Sequence, residues 1–506
     1  MSTSTVATPA TNRSHQHRWW ALTVLMLPVF LISIDNTVLA FALPKIAEAF
    51  RPSAAAQLWI VDVYSLVLAT LLVMMGSLGD RFGRRRLLLI GATGFAIVSA
   101  AAAFAPSAAY LIAARAALGV FGAMLMPSTL SLIRNIFTDA TSRRLAIAIW
   151  ASCFTAGSAL GPIVGGALLQ HFHWGAVFLI AVPLLLPLLV LAPKLVPESR
   201  DPNPGPVDPT SVLLSFTTML PVVWAIKTAA HDGISALVVG AIAVSVGSGV
   251  WFVRRQNRSS APMLDMRLFG YGPFTASILA NFLSIVGLIG FLFFVSQHLQ
   301  LVLGLSPLAA GLVTLPGAVV SMIAGVGVVR LTRRFASHTL IMAGLILVAA
   351  GFLLILAFRH DLNIGAVIAS FVVLELGIGI SQTISNDTIV AAVPAAKSGA
   401  ASAVSETAYE LGAVVGTAIL GSMFTAFYRA NIELPDVLSP TQVADAGESI
   451  GGAAAVAQTL PTELGARLME SARAAFDSGI APTSAIAAVL ALTATAVVYV
   501  VSRREG

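Results

Sequence analysis

The sequence predicts an all-α membrane protein with fourteen transmembrane helices in a 6 + 2 + 6 arrangement. Of its 506 residues, 57% are apolar and only 10% are charged, whereas about 25% of the residues of an ordinary soluble protein are charged. The apolar residues form long blocks, and the mean hydropathy is +0.90. Too few charges remain to cover several soluble domains. A soluble enzyme, a disordered chain and a fibre are therefore excluded, and the single Cys153 excludes a disulfide scaffold.

The fourteen spans follow from the lengths of the apolar blocks. A hydrocarbon core of about 30 Å requires about 20 helical residues at 1.5 Å each. The segments that reach this length are 19–43, 57–79, 87–105, 108–133, 146–169, 175–193, 210–229, 235–253, 273–302, 307–329, 338–358, 363–386, 399–428 and 480–501. The alternating ten-residue strands of a β-barrel are absent from the sequence.

Loop charges predict the orientation of the chain. Most lysines and arginines fall in one set of loops, such as 81–86, 134–144, 254–258 and 330–334, together with both terminal segments. Because basic loops stay in the cytoplasm, both termini are expected there. The charges are scattered over one membrane face and do not cluster on a folded domain, so we expect no nucleic-acid partner. The first apolar block lacks a cleavage site and is read as a span, not as a signal peptide.

A weak internal sequence repeat indicates that the chain has two halves. The basic segment 330–334 follows the tenth span as 81–85 follows the second, which fits two six-helix units separated by two extra helices. The predicted divisions are a disordered N-terminus 1–18, a first bundle 19–193, a Pro-rich linker 194–209, two extra helices 210–254, a second linker 255–272 and a second bundle 273–506. An outside loop at 429–479 belongs to the second bundle, and only 463–477 of it has helical character.

Three segments carry residues that a simple apolar span does not need. The loop after the second span combines glycines and charges, namely Gly76, Asp80, Arg81, Gly83 and Arg84. The fourth span contains Arg115, which requires a partner or a water-filled cavity because a charge in the bilayer is costly. The fifth span contains Gly157, Gly161, Pro162 and Gly165, a spacing that predicts close helix packing and a bend. Structural alternatives remain: a topology-setting loop, a structural ion pair and generic helix packing.

These three segments resemble motifs of the major facilitator superfamily, and the fifth-span motif resembles that of its antiporters. Residues 34–44 and 59–66 are similar to the drug:proton antiporters with fourteen spans. The resemblance covers the whole chain. It implies the major facilitator fold and the proton-driven export of lipophilic cations such as ethidium, quaternary ammonium compounds and fluoroquinolones. It also implies gating roles for the glycines and charges of the second-span loop and for the fifth-span motif. No cofactor is expected, because the proton gradient drives transport.

Acidic residues within the spans predict the chemistry independently of the resemblance. A carboxyl group in an apolar medium favours its neutral form, and it can carry a proton or hold an organic cation. The candidates are Asp35, Asp62, Glu375, Glu406 and Glu410. A helix–helix hydrogen bond is the alternative for each one. With the resemblance, Asp35 paired with Arg115 is the predicted proton carrier and Glu410 an accessory group.

Substrate recognition is assigned mainly to the second half. Asp62 and Glu406 are the predicted cation-recognising acids, one in each half. Glu375, Gly379, Gln382 and Asn386 form a polar stripe down the twelfth span, and Asp387 at its end is read as solvated. Tyr409 and the phenylalanines of the ninth span, Phe294 among them, can hold cations through their ring faces, although packing is the alternative.

Rival functions lack their expected residues. A solute importer or uniporter of the same fold would need polar core residues for a small polar metabolite, and not several unpaired acids. An enzyme would need a clustered nucleophile and base or metal ligands, and a channel would need rings of polar residues. No phosphate-binding loop of the G-x-x-x-x-G-K-[ST] type is present, which argues against an ATP-driven pump. The partners expected are drugs, protons and lipid, and the chain is expected to be monomeric and not an enzyme.

Overall fold

The computed structural model describes residues 10–50, 54–202, 208–259, 262 and 264–503, and this part of the chain is entirely helical apart from turns. Some side chains within these helices also lie outside the description, including those of Asp62 and Pro162. Fourteen helices in the described residues are long and apolar enough to span a bilayer, as predicted.

The first half and the two extra helices account for nine helical segments. They are α1 (Ala10–Phe50), α2 (Ala54–Phe82), α3 (Arg84–Ala102), α4 (Ala108–Ile136), α5 (Ala140–His171), α6 (Ala176–Leu179), α7 (Ala181–Leu195), α8 (Pro209–Asp232) and α9 (Ala236–Arg258). The short α6 and α7 together make the sixth span. Residues 10–18, which the sequence predicted to be disordered, continue α1, while residues 1–9 lie outside the description.

The second half begins after a short 3-10 turn at Met266–Gly270. Its segments are α10 (Gly272–Gln297), α11 (Pro307–Leu331), α12 (Ser337–Ala357), α13 (Ile364–Ala391), α14 (Ser398–Gly416), α15 (Ser422–Asn431), α16 (Pro440–Glu448), α17 (Ile450–Ala457), α18 (Thr462–Ser478) and α19 (Ile480–Arg503). Single π-helical turns follow α10 and join α14 to α15.

The predicted outside loop is more ordered than its composition indicated. Between α15 and α19 it forms three helices, whereas the sequence predicted helix only near 463–477. The missed signal is a capping box, in which Ser439 and Gln442 each hydrogen-bond the other's backbone amide. The phenol of Tyr428 donates to the carbonyl of Ala446 at 2.9 Å, and Phe476 packs on Phe424 with ring centroids 4.4 Å apart. The segment therefore shares the apolar core of the second half.

Each half has its own apolar core, and the extra helices lie beside the seam between the halves. One core joins residues of α1–α7, and another joins residues of α10–α19. Across the seam α2 packs on α14, and α5 packs on α11. Helix α8 contacts both halves, because Val223 meets Leu66 of α2 and Val414 of α14 in one buried cluster.

Glycines bring α5 against α1, as the sequence predicted. A Cβ added at Gly157 would lie 2.7 Å from the Ser33 Cβ, and one at Gly165 would lie 2.7 Å from the Val38 Cγ2. Gly161 is equally close to α1. Helix α5 runs unbroken through this stretch. Larger side chains at these three positions would force the helices apart.

Candidate functional site

A buried ion pair occupies the middle of the first half. The guanidinium Nη1 of Arg115 on α4 donates to Oδ2 of Asp35 on α1 at 2.7 Å, which confirms the predicted pairing. Asp35 is 6% exposed and Arg115 is 2% exposed. Arg115 also donates to the carbonyl of Ile60 at 3.2 Å and lies 4.4 Å above the Tyr64 ring. Three partners thus compensate the cost of burying the guanidinium.

Tyr64 completes this cluster, although its role was missed from the sequence. Its segment, 59–66, was noted only for its resemblance. The Tyr64 hydroxyl is buried, and in the described part of the chain it has no hydrogen-bond partner. An ion pair beside a free hydroxyl can reorganise, since the hydroxyl can accept from Arg115 or donate to Asp35 if their contact opens.

A small cavity lined by both polar and aromatic side chains lies between the two halves. Its first-half lining comes from α4 and α5, and its second-half lining comes from α10, α13 and α14. The lining residues are Met126, Trp150, Phe154, Asn281, Gln382, Asn386, Ser405, Glu406 and Tyr409. The volume is about 10 Å³, enough for about one water molecule. The cavity must therefore widen before it can hold an organic molecule.

A hydrogen-bonded network of two amide side chains and one hydroxyl lines this cavity. Asn281 Nδ2 donates to Asn386 Oδ1 and to Ser405 Oγ, each at 3.2 Å, and Ser405 donates to Asn386 Oδ1 at 2.6 Å. Asn386 belonged to the predicted stripe, but Asn281 was missed. Its signal was a single amide within the apolar stretch 273–296. The network fixes α10, α13 and α14 relative to one another.

Glu406 is the carboxyl group that lines the cavity, and it is surrounded by aromatic rings. Tyr409, one turn away on α14, packs edge-on against Phe154 of α5 with centroids 5.1 Å apart. This ring contact crosses the seam between the halves. Glu410, four residues after Glu406, is half-buried. A carboxyl group beside ring faces is the combination that attracts organic cations.

The residues of the predicted stripe on α13 lie in two different environments. Gln382 and Asn386 line the cavity. Glu375 is instead buried beside Ser321 of α11. Gly379 lies against Ser321 as well, where a Cβ would meet the α11 backbone. The part of the stripe formed by Glu375 and Gly379 therefore packs against α11 and does not line the cavity.

Two other predicted substrate residues are not placed at the cavity. Phe294 is buried in the core of the second half, where its ring contacts Phe291 and Phe424 at centroid distances of 5.5 and 6.0 Å. These contacts favour the packing alternative over cation binding. Asp62 lies on α2, but its side chain is outside the described residues.

Asp80 joins the two halves at the end of the bundle that carries the basic loops, which we call the basic end. Its carboxylate accepts from Arg84 Nε at 2.9 Å. It also accepts from the backbone amides of Gly399 and Ala400 at 2.9 and 3.0 Å. These amides open α14, so a carboxylate meets the positive end of a helix.

Glycines allow this close contact, which supports the conformational role predicted for the loop. A Cβ at Gly76 would lie 2.5 Å from the carbonyl oxygen of Gly399. Gly83 adopts φ +107°, a value that favours glycine. The loop also rests on the first linker, because Glu198 accepts from the amide of Arg85 at 3.0 Å. The guanidinium carbon of Arg81 lies 5.6 Å from the centroid of the exposed Phe82 ring.

Asp387 forms a second cross-half contact, which corrects its interpretation as a solvated residue. It is 3% exposed. Its two oxygens accept from Arg143 Nε at 2.6 Å and from Arg144 Nε at 2.8 Å, both on α5. The sequence prediction was wrong because the partner arginines are more than 240 residues away along the chain.

Asp387→Asn is expected to open the basic end. The variant leaves Arg143 and Arg144 at the seam without a carboxylate, and losing one partner of a buried charge pair costs about 2 kcal/mol or more. Spin labels at exposed positions Thr141 and Lys397, in a Cys153→Ser background, should report longer distances. Asp265→Asn is the control, since Asp265 pairs with Arg267 in the linker and not across the seam. Unchanged distances in Asp387→Asn would show that Asp80 and the cross-half hydrogen bonds of Arg134 and Asn135 hold this end without Asp387.

Comparisons with known proteins agree with this geometry. The family model of the Major Facilitator Superfamily matches residues 25–417. The chain is 75% identical over 504 residues to the multidrug efflux pump LfrA of Mycolicibacterium smegmatis, with 100% of both chains covered. It is 36% identical over 469 residues to the methyl viologen resistance protein SmvA of Salmonella typhimurium, covering 91% of this chain and 93% of that protein.

A solved structure supports the fold. The human organic anion transporter MFSD10 superposes with a TM-score of 0.62 at 15% identity, covering 97% of this chain and 100% of that one. The fold, the span count and the family agree with the predictions made from the sequence. The chain is a multi-pass membrane transporter that belongs to the major facilitator superfamily.

Proposed function

We propose that the chain is a proton-coupled multidrug antiporter that exports lipophilic, mainly cationic compounds across a bacterial cytoplasmic membrane. It is not an enzyme, it uses no cofactor, and it works as a monomer with both termini in the cytoplasm. The observation that carries the proposal is the cavity at the seam, where Glu406 lies among the rings of Trp150, Phe154 and Tyr409. The 75% identity to a multidrug efflux pump supports the same substrate class.

Alternating access fits the contacts between the halves. Asp80 and Asp387 hold the basic end together through partners on the opposite half. The cavity of about 10 Å³ is contracted while these contacts are made. Separating the halves at the basic end would widen the cavity and admit a drug from the cytoplasm. Re-forming the contacts would then expel it toward the other side.

Proton coupling is assigned to the buried pair of Asp35 and Arg115. When the pair opens to water, Asp35 can take a proton. Arg115 then keeps its contact with the ring of Tyr64. When the pair closes, the proton is released, because a carboxylate beside a guanidinium favours its charged form. Glu410 is an accessory carboxyl group, one helical turn from the cation-binding Glu406.

Ethidium transport in inverted membrane vesicles tests this proposal. With an imposed pH gradient and no ATP, vesicles containing the protein should accumulate ethidium, and a protonophore should abolish the accumulation. Vesicles without the protein serve as the control. Accumulation that follows ATP and ignores the gradient would contradict proton coupling. Gradient-driven movement of a sugar, with no movement of ethidium, would favour a solute carrier.

A further inference from the structure

The extra helices α8 and α9 form a cleft at the basic end, apart from the transport cavity. It has a volume of about 540 Å³. The lining residues are Asp208, Trp251, Arg254, Arg255, Arg258 and Ser259. The size falls within the range of small-molecule sites. Three arginines in so few residues make its chemistry distinct from that of the apolar helix surfaces around it.

The cleft has a net positive charge. Arg255 and Asp208 neutralise each other through two hydrogen bonds of 2.6 and 2.9 Å. These bonds hold the pKa of the Asp208 carboxyl below its ordinary value, so it stays charged and paired. Arg254 and Arg258 are exposed, and among the described residues neither has a carboxylate partner. Two guanidinium groups are thus available to an anion.

One face of α9 connects these arginines to the apolar surface. Trp251, Arg254 and Arg258 are spaced i, i+3 and i+7, so they lie on the same side of the helix. The same face continues through Gly247 and Gly240, where an added Cβ would meet nothing within 4 Å. The only buried residues of α9 are Val238, Ser245, Phe252 and Gln256. This face is therefore open to the bilayer as a shallow groove.

We propose that this groove binds an anionic phospholipid, with its phosphate on Arg254 and Arg258 and an acyl chain along Gly247 and Gly240. Guanidinium groups recognise phosphate oxygens through paired hydrogen bonds. A tryptophan at the level of the headgroups, such as Trp251, anchors an interface between water and lipid. Basic pockets between membrane helices are known sites for anionic headgroups.

A lipid explains the site better than a soluble phosphate does. The charged part of the groove continues directly into an apolar strip, which a free anion would leave uncovered. Helix α8 contacts both halves at Leu66 and Val414. A lipid on the helix pair would thus lie beside the moving seam. The inference concerns a site that no transported compound needs to enter, so it holds or fails independently of the proposed function.

Native mass spectrometry of the detergent-purified protein tests the site. Phosphatidylglycerol should bind more tightly than phosphatidylcholine. In Arg254→Gln/Arg258→Gln, phosphatidylglycerol affinity should fall by about 30-fold, since each basic residue near an anionic headgroup contributes roughly a factor of five. Phosphatidylcholine binding should not change. Arg254→Lys/Arg258→Lys keeps the charges but not the paired donors, so its affinity should lie between that of the unmodified protein and that of the glutamine variant.

Matched controls separate the groove from general charge attraction. Arg333→Gln/Arg334→Gln removes two exposed arginines from the same end of the bundle and should leave phosphatidylglycerol affinity unchanged. Equal losses in the two double variants would overturn the proposal. So would displacement of the lipid by millimolar inorganic phosphate, which would indicate a soluble anion. In the unmodified protein, a photoactivatable phosphatidylglycerol should crosslink within 240–258, and crosslinks confined to other helices would also refute it.

Discussion

In the Asp35→Asn variant, drug export driven by a pH gradient is expected to fall to the background of vesicles that lack the protein. Asparagine cannot alternate between charged and neutral forms. It also removes the carboxylate that lies 2.7 Å from the buried Arg115 guanidinium. Leaving one partner of a buried ion pair unpaired costs about 3–5 kcal/mol. Ethidium uptake into proteoliposomes and drug-triggered proton release from the purified protein measure the two consequences.

A double variant separates proton carrying from stability. Asp35→Asn/Arg115→Gln removes both charges, so the unpaired guanidinium is gone and the thermal unfolding temperature should recover. Proton release and gradient-driven export should stay lost if Asp35 carries the proton. If export returns in the double variant, the pair is structural, and the proton role passes to Glu406 or Glu410.

The membrane helices could be predicted from the sequence because the bilayer imposes a length on every apolar segment. The predicted block 399–428 corresponds to α14 and α15 joined by one π-helical turn, which no hydropathy pattern indicates. Of the helices between α15 and α19, α18 corresponds to the predicted helix near 463–477, whereas α16 and α17 were missed because they are short and their ends depend on side-chain caps. Ser449, for example, caps α17 by accepting from the amide of Gly452 at 3.1 Å.

The Asp35–Arg115 pair was also predictable, because a buried arginine requires a partner and the family resemblance indicated Asp35. Asp387 was not predictable in the same way. It is flanked by polar residues at the end of a span, a pattern that equally fits a solvated helix end. Only the packing of α5 beside α13 brings Arg143 within 2.6 Å of it. Contacts between the halves depend on the tertiary arrangement, so the sequence around each residue does not indicate them.

The residues that line the cavity were likewise only partly predictable from the sequence. Glu406 was identified because an acid is unusual in a membrane helix, and Tyr409 because its ring face can hold a cation. Trp150 and Phe154 on α5 line the same cavity, but aromatic residues are ordinary in such helices. Phe294 was also a candidate because its ring face can hold a cation, but it lies in the apolar core instead. Ring direction depends on which face of a helix meets the seam, and composition does not encode it.

Glu406→Gln is expected to weaken export of dicationic drugs far more than export of monocationic ones. Ring faces in the cavity can attract one positive charge without a carboxylate. A second charge about 4 Å from a carboxylate gains about 4 kcal/mol at an effective dielectric constant of 20. Desolvation offsets part of this gain, so we expect a loss of roughly 100-fold for dications. A bis-quaternary ammonium compound and ethidium, compared in the same proteoliposomes, measure the difference.

Glu375→Gln is the matched control for Glu406→Gln. It makes the same substitution at another buried acid of the second half, but Glu375 lies beside Ser321 and is not among the residues that line the cavity. Both drug classes should be exported by this variant in unchanged proportion. Proton release triggered by monocations should survive in Glu406→Gln, because Asp35 and Arg115 are untouched in the first half. Equal losses of both drug classes in Glu406→Gln would instead assign Glu406 to the proton pathway or to the fold.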